Sequence, residues 1–254
     1  MRILWINPVG TDVFDADMQK ILIEAKRRDT EVRVVSLPAG RPTYLSYHAY
    51  EGLVIPDIIR MTHQAAGIYD AVVIGCFYDT GLREAREVSG QAIVTAPCQS
   101  AVDIAGYLGN SFSILVAGPK EVPKMTETVR KYGRAHAMAS MRPLHLGVHE
   151  FQADPSRTRE RLMIEATRAV QEDGAEVIIL GCTAEYGFNR AIQAELGVPV
   201  IDAVTAPFKY AEFMAEVAVR FGWYPSRLYG SQAPPADEAA TWDIFQDTAP
   251  IIRG

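Results

Sequence analysis

Short β-branched and apolar runs alternate along the chain with longer segments in which apolar residues recur at helical spacing. This alternation is typical of parallel strands that are covered by crossover helices, so it predicts an α/β fold. Strands are predicted at Arg2 to Ile6, Glu31 to Leu37, Ala71 to Gly75, Ala92 to Thr95, Phe112 to Ala117, Pro143 to Gly147, Glu176 to Gly181 and Pro199 to Asp202. Helices are predicted to include Ala16 to Arg28, Gly81 to Val88, Pro155 to Glu172 and Ala206 to Arg220.

The same order of elements occurs twice in the chain. Ile3-Leu4-Trp5-Ile6-Asn7-Pro8 is echoed by Ile114-Leu115-Val116-Ala117-Gly118-Pro119, and Val72-Val73-Ile74-Gly75-Cys76 by Val177-Ile178-Ile179-Leu180-Gly181-Cys182. Such a repeat predicts two structural units of one kind. Each half is expected to be a four-stranded parallel sheet flanked by helices, and the active site is expected in the cleft between two pseudo-symmetric domains.

The repeat also predicts how the chain is divided between the two halves. Residues 1–96 with 206–254 are expected to form the first half, including a C-terminal helix and tail, and residues 97–205 the second. From Gly222 onward the repeat is broken and no chemical motif is present. This last stretch is expected to pack on the core or on a neighbouring subunit of a homo-oligomer.

Composition and charge narrow the class of protein. The chain has 254 residues, 48% of them hydrophobic and 22% charged, which is ordinary for a soluble globular protein. A net charge of -6 gives no basic field for nucleic acid or an anionic membrane. No export signal, bilayer-spanning run or glycine-rich phosphate loop is legible, so a cytoplasmic protein with a small-molecule substrate and no cofactor is expected.

Two of the three cysteines carry the main chemical signal. Cys76 and Cys182 each follow a glycine at the end of an apolar strand, at equivalent points of the repeat, whereas Cys98 has no counterpart and is expected to fill the core. The ends of parallel strands are where α/β folds bind ligands. A helix beginning after each cysteine would lower its pKa and hold a carboxylate or imide oxygen.

A pair of facing thiols suits one kind of reaction. Inverting a stereocentre by proton transfer needs a base on one face of the carbon and an acid on the other. Cys76 as thiolate would remove the proton while Cys182 as thiol donates one, and the reverse reaction would exchange their roles. The two cysteines therefore predict a racemase or epimerase that needs no metal or organic cofactor.

The motifs around these residues resemble the aspartate/glutamate/hydantoin racemase superfamily over about residues 1 to 221. The similarity is greatest to its hydantoin and allantoin racemase branch. It is carried by Met1-Arg2-Ile3-Leu4 with Ile6-Asn7-Pro8, Cys76-Phe77-Tyr78-Asp79-Thr80-Gly81-Leu82, Leu180-Gly181-Cys182-Thr183 and Gly197-Val198-Pro199-Val200-Ile201-Asp202-Ala203-Val204.

The resemblance implies roles for particular residues. Cys76 and Cys182 would be the catalytic pair, and Asn7 would orient the site. The loops after the cysteines would offer backbone N–H groups to the substrate; they contain Phe77 and Tyr78, and Thr183 and Ala184.

Departures from the family pattern bear on the substrate. Asn7 stands where the amino-acid racemases usually have Asp, and Ala184 where they often have His. Val9-Gly10-Thr11-Asp12 replaces the Asn-Thr-Ser that usually follows Asn-Pro in hydantoin racemases. A hydantoin-like compound or an N-substituted amino acid, including an N-substituted aspartate, is expected rather than free glutamate or aspartate.

Two further residues are candidate substrate contacts. Tyr47 lies in an aromatic segment, Tyr44 to Tyr50, which is expected to be a loop flanking the cleft. Lys120 follows the repeat-equivalent of the Asn7 loop and could meet an anionic group, although a solvated lysine at a helix start is the commoner case.

Two other functions fit parts of the pattern. A maleate-type cis-trans isomerase of the same superfamily would use one cysteine as nucleophile, and the paired cysteines do not distinguish it from a racemase. A non-catalytic two-domain binding protein is the alternative from another class. Exchange of solvent deuterium into a candidate ligand would separate the binding protein from the enzymes.

Overall fold

The computed structural model describes residues 1–242 and 245, and within them the chain forms two four-stranded parallel sheets. The strand orders are β2-β1-β3-β4 and β6-β5-β7-β8, so each sheet repeats the same topology. The predicted α/β class with two such sheets is confirmed. The strands are β1 (Arg2–Asn7), β2 (Glu31–Ser36), β3 (Ala71–Ile74), β4 (Ile93–Thr95), β5 (Phe112–Val116), β6 (Met138–Pro143), β7 (Val177–Leu180) and β8 (Val200–Ile201).

Helices connect the strands in both halves, because parallel neighbours can be joined only by crossovers. They are α1 (Asp15–Ala25), α2 (His48–Ala65), α3 (Leu82–Val88), α4 (Pro97–Leu108), α5 (Glu121–Lys131), α6 (Glu150–Ala153), α7 (Pro155–Gln171), α8 (Asn189–Leu196), α9 (Thr205–Phe221) and α10 (Ala236–Thr241).

The contacts within the chain divide it into two compact units. The first contains Met1–Ile74, Thr80–Thr95 and the chain from Phe208 onward, and the second contains Gly75–Asp79 and Ala96–Pro207. The segment Gly75–Asp79, which directly follows β3, therefore groups with the second unit, and both Cys76 and Cys182 belong to that unit.

The second sheet is buried on both faces. In β7 the side chains of Val177 and Ile179 pack in one apolar cluster, and those of Ile178 and Leu180 pack in another on the opposite face. Successive side chains of a strand point to opposite faces, so a continuous apolar run is required where both faces are covered. Cys98 is fully buried in the first of these clusters, as expected for core filler.

The sixth strand was predicted in the wrong place, at Pro143 to Gly147 instead of Met138–Pro143. This strand is at the edge of its sheet and its side chains are mostly half-exposed, so its sequence lacks the expected apolar run. The buried Leu144 and Leu146 mimic that run, but they lie beyond the sheet. His145 between them has φ 58°, a left-handed conformation that no continuing strand adopts.

Two other expectations concern the segments outside the sheets. The aromatic segment is only partly a loop, because α2 begins at His48 and contains its last three residues. The C-terminal stretch packs on its own unit through Arg227, whose guanidinium donates to the carbonyl oxygens of Arg86 and Gly90. Residues 243–244 and 246–254, which belong to the predicted tail, lie outside the described residues.

No helix among the described residues is long and apolar enough to cross a membrane.

Candidate active site

Cys76 lies in a tight turn that follows β3. Its carbonyl oxygen accepts a hydrogen bond from the Asp79 N–H at 2.9 Å, which closes the turn. Asp79 has φ 54°, a left-handed conformation that Asp tolerates better than most residues. The Cys76 side chain is half-buried and packs against the apolar cluster that contains Cys98.

Asp79 ties the Cys76 turn to the rest of its unit. Its carboxylate accepts hydrogen bonds from the Cys98 and Gln99 N–H groups, at 2.8 and 2.9 Å, at the start of α4. It accepts a third from the Tyr132 hydroxyl at 2.7 Å. Because a helix start leaves N–H groups without intrahelical partners, the buried carboxylate both caps α4 and holds the loop that carries Cys76.

Cys182 is held by a different local structure. After Gly181 it caps a single turn of 3₁₀ helix, Thr183–Glu185, and its sulfur accepts the Glu185 N–H. The Glu185 carboxyl in return accepts the Cys182 N–H at 3.3 Å. Gly181 is required, because a Cβ there would lie 2.4 Å from the Leu115 carbonyl oxygen.

The expected lowering of the thiol pKa is wrong for Cys182. Burial raises its pKa well above the usual value, and the neighbouring Glu185 raises it further. The Ala184 N–H opposes this by donating to the sulfur. Neither cysteine begins an α-helix, since Cys182 is followed by one 3₁₀ turn and Cys76 by a turn before α3. The helix dipole expected to lower the pKa is thus not placed there.

Tyr78 lies near both thiols. Burial is the main cause that raises its pKa, and the charges of Glu121, Cys76 and Cys182 add to that shift. The Lys124 ammonium is 4.0 Å from the centre of its ring. Burial lowers the pKa of Lys124 to about 8, so this cation is poorly solvated.

Two carboxyl groups also lie close to Cys182. Both Glu121 and Glu185 are buried, and each raises the pKa of the Cys182 thiol. Burial raises the pKa of Glu185 well above its usual value, and its Oε1 atom has no hydrogen-bond partner among the described residues. The surroundings of Cys182 therefore favour a thiol over a thiolate at neutral pH.

The predicted site residues of the second unit have different surroundings. Phe77 is buried in the apolar core, and Lys120 is an exposed residue at the start of α5. Thr183 donates from Oγ1 to the Gly75 carbonyl oxygen at 3.3 Å, which links the loops of the two cysteines. The Ala184 N–H, which was expected to face the substrate, donates a hydrogen bond to the Cys182 sulfur.

The predicted residues of the first unit are Asn7 and Tyr47. Asn7 is buried; its side chain accepts from the Trp5 indole at 2.7 Å and donates to Asp15 at 2.5 Å. Tyr47 is 44% exposed and packs against the rings of Tyr44 and Tyr50.

The sequence analysis did not single out four residues that contribute to the surroundings of Cys182, the Cys76 turn or the Tyr78 ring. Asp79 and Glu185 each follow a cysteine by three residues, so the sequence shows that they are near a cysteine but not which groups they contact. Glu121 and Lys124 begin α5, and their spacing of three residues, which puts them on one helix face, was the available signal.

Among the described residues, no group of three or more His, Cys, Asp or Glu side chains is arranged to hold a metal ion.

Comparison with known proteins identifies the family of the chain. Residues 3–211 match the Asp/Glu/Hydantoin racemase family. A hydantoin racemase from Pseudomonas sp. (strain NS671) is 36% identical over 85% of this chain and 87% of its own length. A hydantoin racemase from Rhizobium meliloti is 36% identical over 94% of this chain and 97% of its own length. An allantoin racemase structure from Klebsiella pneumoniae has a TM-score of 0.85 at 26% identity, covering 92% of this chain and 94% of that chain.

The chain belongs to the Asp/Glu/hydantoin racemase family, which confirms the resemblance drawn from its motifs. It is similar to hydantoin and allantoin racemases, and it is an isomerase of the racemase type.

Proposed function

We propose that this racemase inverts a stereocentre by proton transfer between Cys76 and Cys182, on a hydantoin-like or N-substituted amino-acid derivative. The observation that carries the proposal is the position of the two thiols just after the ends of the equivalent strands β3 and β7, with their loops linked by the hydrogen bond from the Thr183 hydroxyl to the Gly75 carbonyl oxygen. Two bases are what inversion requires, one for each face of the carbon.

The surroundings of the two cysteines support a starting state for the reaction. With its pKa raised, Cys182 holds a proton at neutral pH and can donate it to one face of the substrate carbon. Cys76 as thiolate removes the proton from the opposite face, so one S–H bond forms as the other breaks. The enzyme is then left with its proton on Cys76, ready for the reverse direction.

The carbanion formed between the two steps needs stabilisation. In a five-membered imide the charge delocalises onto a carbonyl oxygen, and each well-placed hydrogen-bond donor to that oxygen contributes roughly 3 kcal/mol. The Tyr78 hydroxyl is such a donor, since burial and nearby negative charges keep it protonated. Backbone N–H groups of the Cys76 turn are the other donors that we assign to this role.

The charges around Cys182 support the substrate class. Glu121 is buried near this thiol, and its carboxylate would repel the carboxylates of a free amino diacid. Asn7 pairs with Trp5 and Asp15, and Ala184 brings only a methyl group, so neither is an added acid or base. We therefore assign a substrate whose proton is made more acidic by a ring or an N-substituent. N-substituted aspartates also fit if a cation such as Lys124 meets the second carboxylate.

The test is incubation in heavy water with 5-substituted hydantoins, allantoin, N-carbamoyl amino acids, N-substituted aspartates, glutamate and aspartate. Proton NMR would measure deuterium at the stereocentre, and polarimetry would measure inversion. We expect the ring compounds to exchange and racemise much faster than the free amino acids. Faster racemisation of a free amino acid would contradict the substrate class, and exchange in none of the compounds would contradict the function.

We further propose a cytoplasmic homo-oligomer. Reduced thiols are the form that this chemistry needs, and the cytosol keeps cysteines reduced. Phe213 in the middle of α9, Phe221 at its end and Trp223 just after it are exposed aromatic side chains, a composition typical of subunit contacts. Light scattering of the purified protein would measure the number of subunits, and a monomer would contradict this part of the proposal.

A further inference from the structure

One side chain of α6 braces the 3₁₀ turn that follows Cys182. The amide nitrogen of Gln152 donates to the carbonyl oxygen of Ala184 at 2.8 Å and to that of Tyr186 at 3.2 Å. An amide nitrogen carries two N–H groups, so it can serve both acceptors at once. Gln152 therefore binds the backbone on both sides of Glu185.

The peptide group between Ala184 and Glu185 is hydrogen-bonded at both ends. Its C=O accepts from Gln152, and its N–H donates to the sulfur of Cys182. The same N–H also donates to the Cys182 carbonyl oxygen at 3.1 Å. Because this peptide bond is trans, its C=O and N–H point in opposite directions. A rotation of this one peptide group would therefore disturb the contacts to Gln152 and to the sulfur together.

The main chain around Gln152 is itself held in place. The preceding residue, Phe151, is fully buried and packs in the same apolar cluster as Ala184. The Phe151 carbonyl oxygen accepts from the Thr158 hydroxyl at 2.9 Å. Groups that support a reacting atom need this kind of fixed base.

These contacts give Gln152 a role in the reaction. We propose, on the basis of the function proposed above, that Gln152 is a positioning residue: through the Ala184–Glu185 peptide group it holds an N–H against the Cys182 sulfur. A hydrogen bond accepted by a carbonyl oxygen polarises the peptide group and strengthens its N–H as a donor. A donor to sulfur stabilises the thiolate more than the thiol. Gln152 thus favours release of the Cys182 proton, against the burial that retains it.

Alkylation of the thiols tests this role without a substrate. Gln152→Met removes both N–H donors and keeps a side chain of similar length. In the Cys76→Ser background, we expect it to slow iodoacetamide modification of Cys182 at pH 8 by about 3- to 10-fold, because the thiolate fraction falls. In the Cys182→Ser background, the rate at Cys76 should stay unchanged. Mass spectrometry measures each site.

Two further variants show whether the donor itself is responsible. Gln152→Lys keeps an N–H donor at this position, so the Cys182 rate should be higher than in Gln152→Met. Gln171→Met is the matched control, because it removes the amide of an exposed residue at the end of α7 in the same unit, and both cysteines should react as in the wild type. An unchanged Cys182 rate in Gln152→Met, equal slowing at both cysteines, or equal rates in the lysine and methionine variants would overturn the proposal.

Kinetics with 5-benzylhydantoin separates this inference from the proposed function. In Gln152→Met we expect kcat to fall by about 10-fold with KM largely unchanged, because the residue acts through Cys182 and not on the substrate. If the wild type exchanges no proton of any compound tested but Gln152→Met slows Cys182 alkylation, the support of Cys182 stands and the racemase proposal fails. If the wild type racemises the compound and Gln152→Met changes neither kcat nor the alkylation rate, the function stands and this inference is overturned.

Discussion

The loops that carry Cys76 and Cys182 occupy equivalent places in the internal repeat, yet they are held in different ways. The Cys76 turn is anchored at a distance, because Asp79 binds the start of α4 and the hydroxyl of Tyr132. The Cys182 loop is held locally, by one turn of 3₁₀ helix in which the thiol and Glu185 bond to each other's backbone. The repeat therefore sets where each thiol lies, and separate residues set its surroundings.

The two carboxyl groups show this difference most clearly. Asp79 accepts hydrogen bonds from three protein donors, so its buried charge is compensated. Glu185 accepts the Cys182 N–H, while its Oε1 atom has no partner among the described residues, and burial raises its pKa. A carboxylate with three donors supports the Cys76 loop, and we expect a neutral carboxyl group to support the Cys182 loop.

The two thiols also pack against opposite faces of the second sheet. Cys76 lies against the cluster that contains Cys98, and Cys182 lies against the cluster that contains Ala184 and Ile192. Bases with different surroundings need not be equally strong, so the steps from the two enantiomers are expected to have different pH dependences.

Removing either thiol is expected to have the largest effect. Cys76→Ala and Cys182→Ala should each lower racemisation of both enantiomers by at least about 10²- to 10⁴-fold, the usual contribution of a positioned acid or base. Polarimetry from each pure enantiomer measures this. Cys98→Ala is the matched control, because that cysteine is buried in the core and has no role in the proposed mechanism.

The serine variants sharpen the same comparison. Cys76→Ser and Cys182→Ser each keep one thiol, so each should exchange the proton of one enantiomer and not the other, measured as deuterium incorporation. Full racemisation in either alanine variant would contradict the mechanism of two bases.

Loss of the distant anchor is expected to have the next largest effect. Asp79→Ala leaves three donors unpaired and puts alanine in a left-handed conformation, so the free energy of unfolding should fall by about 2 kcal/mol or more. Displacement of Cys76 by about 1 Å should lower kcat by about 10²-fold. Denaturant unfolding and steady-state kinetics measure the two effects.

Asp79→Asn provides the control, because asparagine tolerates the same backbone conformation and keeps an acceptor. It should recover most of the stability and part of the activity. In Asp79→Ala, slower iodoacetamide modification of Cys76 with an unchanged rate at Cys182 would show that the substitution disturbs only the Cys76 turn. Equal changes at both cysteines would show instead a general loss of structure.

The pH dependence of Cys182 is the third expectation. Its pKa is raised above the usual thiol value, so only a small fraction is thiolate near neutral pH. As long as the pH stays below the pKa, this fraction increases about tenfold for each unit by which the pH is raised. Iodoacetamide modification of Cys182 in the Cys76→Ser variant should therefore rise by about this factor per unit from pH 7 to 8. Mass spectrometry measures the rate, and a rate independent of pH in this range would show a thiol that is already ionised.

The sequence predicted the topology and the positions of Cys76 and Cys182 at the ends of equivalent strands, because both come from repeated sequence patterns. The apolar runs of β3 and β7 and the glycine before each cysteine mark the ends of buried strands. The edge strand β6 was misplaced because half-exposed side chains leave no such run, while the buried Leu144 and Leu146 imitate one.

What could not be predicted depends on contacts between distant parts of the chain. The hydrogen bond of Tyr132 to Asp79 spans 53 positions, and no local pattern indicates it. The direction of the Cys182 pKa shift was missed for a related reason, since burial outweighs the nearby N–H donors and only the folded structure shows how deeply the thiol is buried.

The smallest effect is expected for Glu185→Gln, which tests whether the Glu185 carboxyl that holds the Cys182 loop is uncharged. If burial keeps a proton on Glu185, glutamine replaces a neutral carboxyl with a neutral amide that can still accept the Cys182 N–H. Both kcat and the pH profile of Cys182 alkylation should then stay close to wild type. Glu185→Ala, which removes the acceptor, should slow the reaction more. If Glu185 is ionised, glutamine removes a charge that raises the pKa of Cys182, and the alkylation profile would move to lower pH.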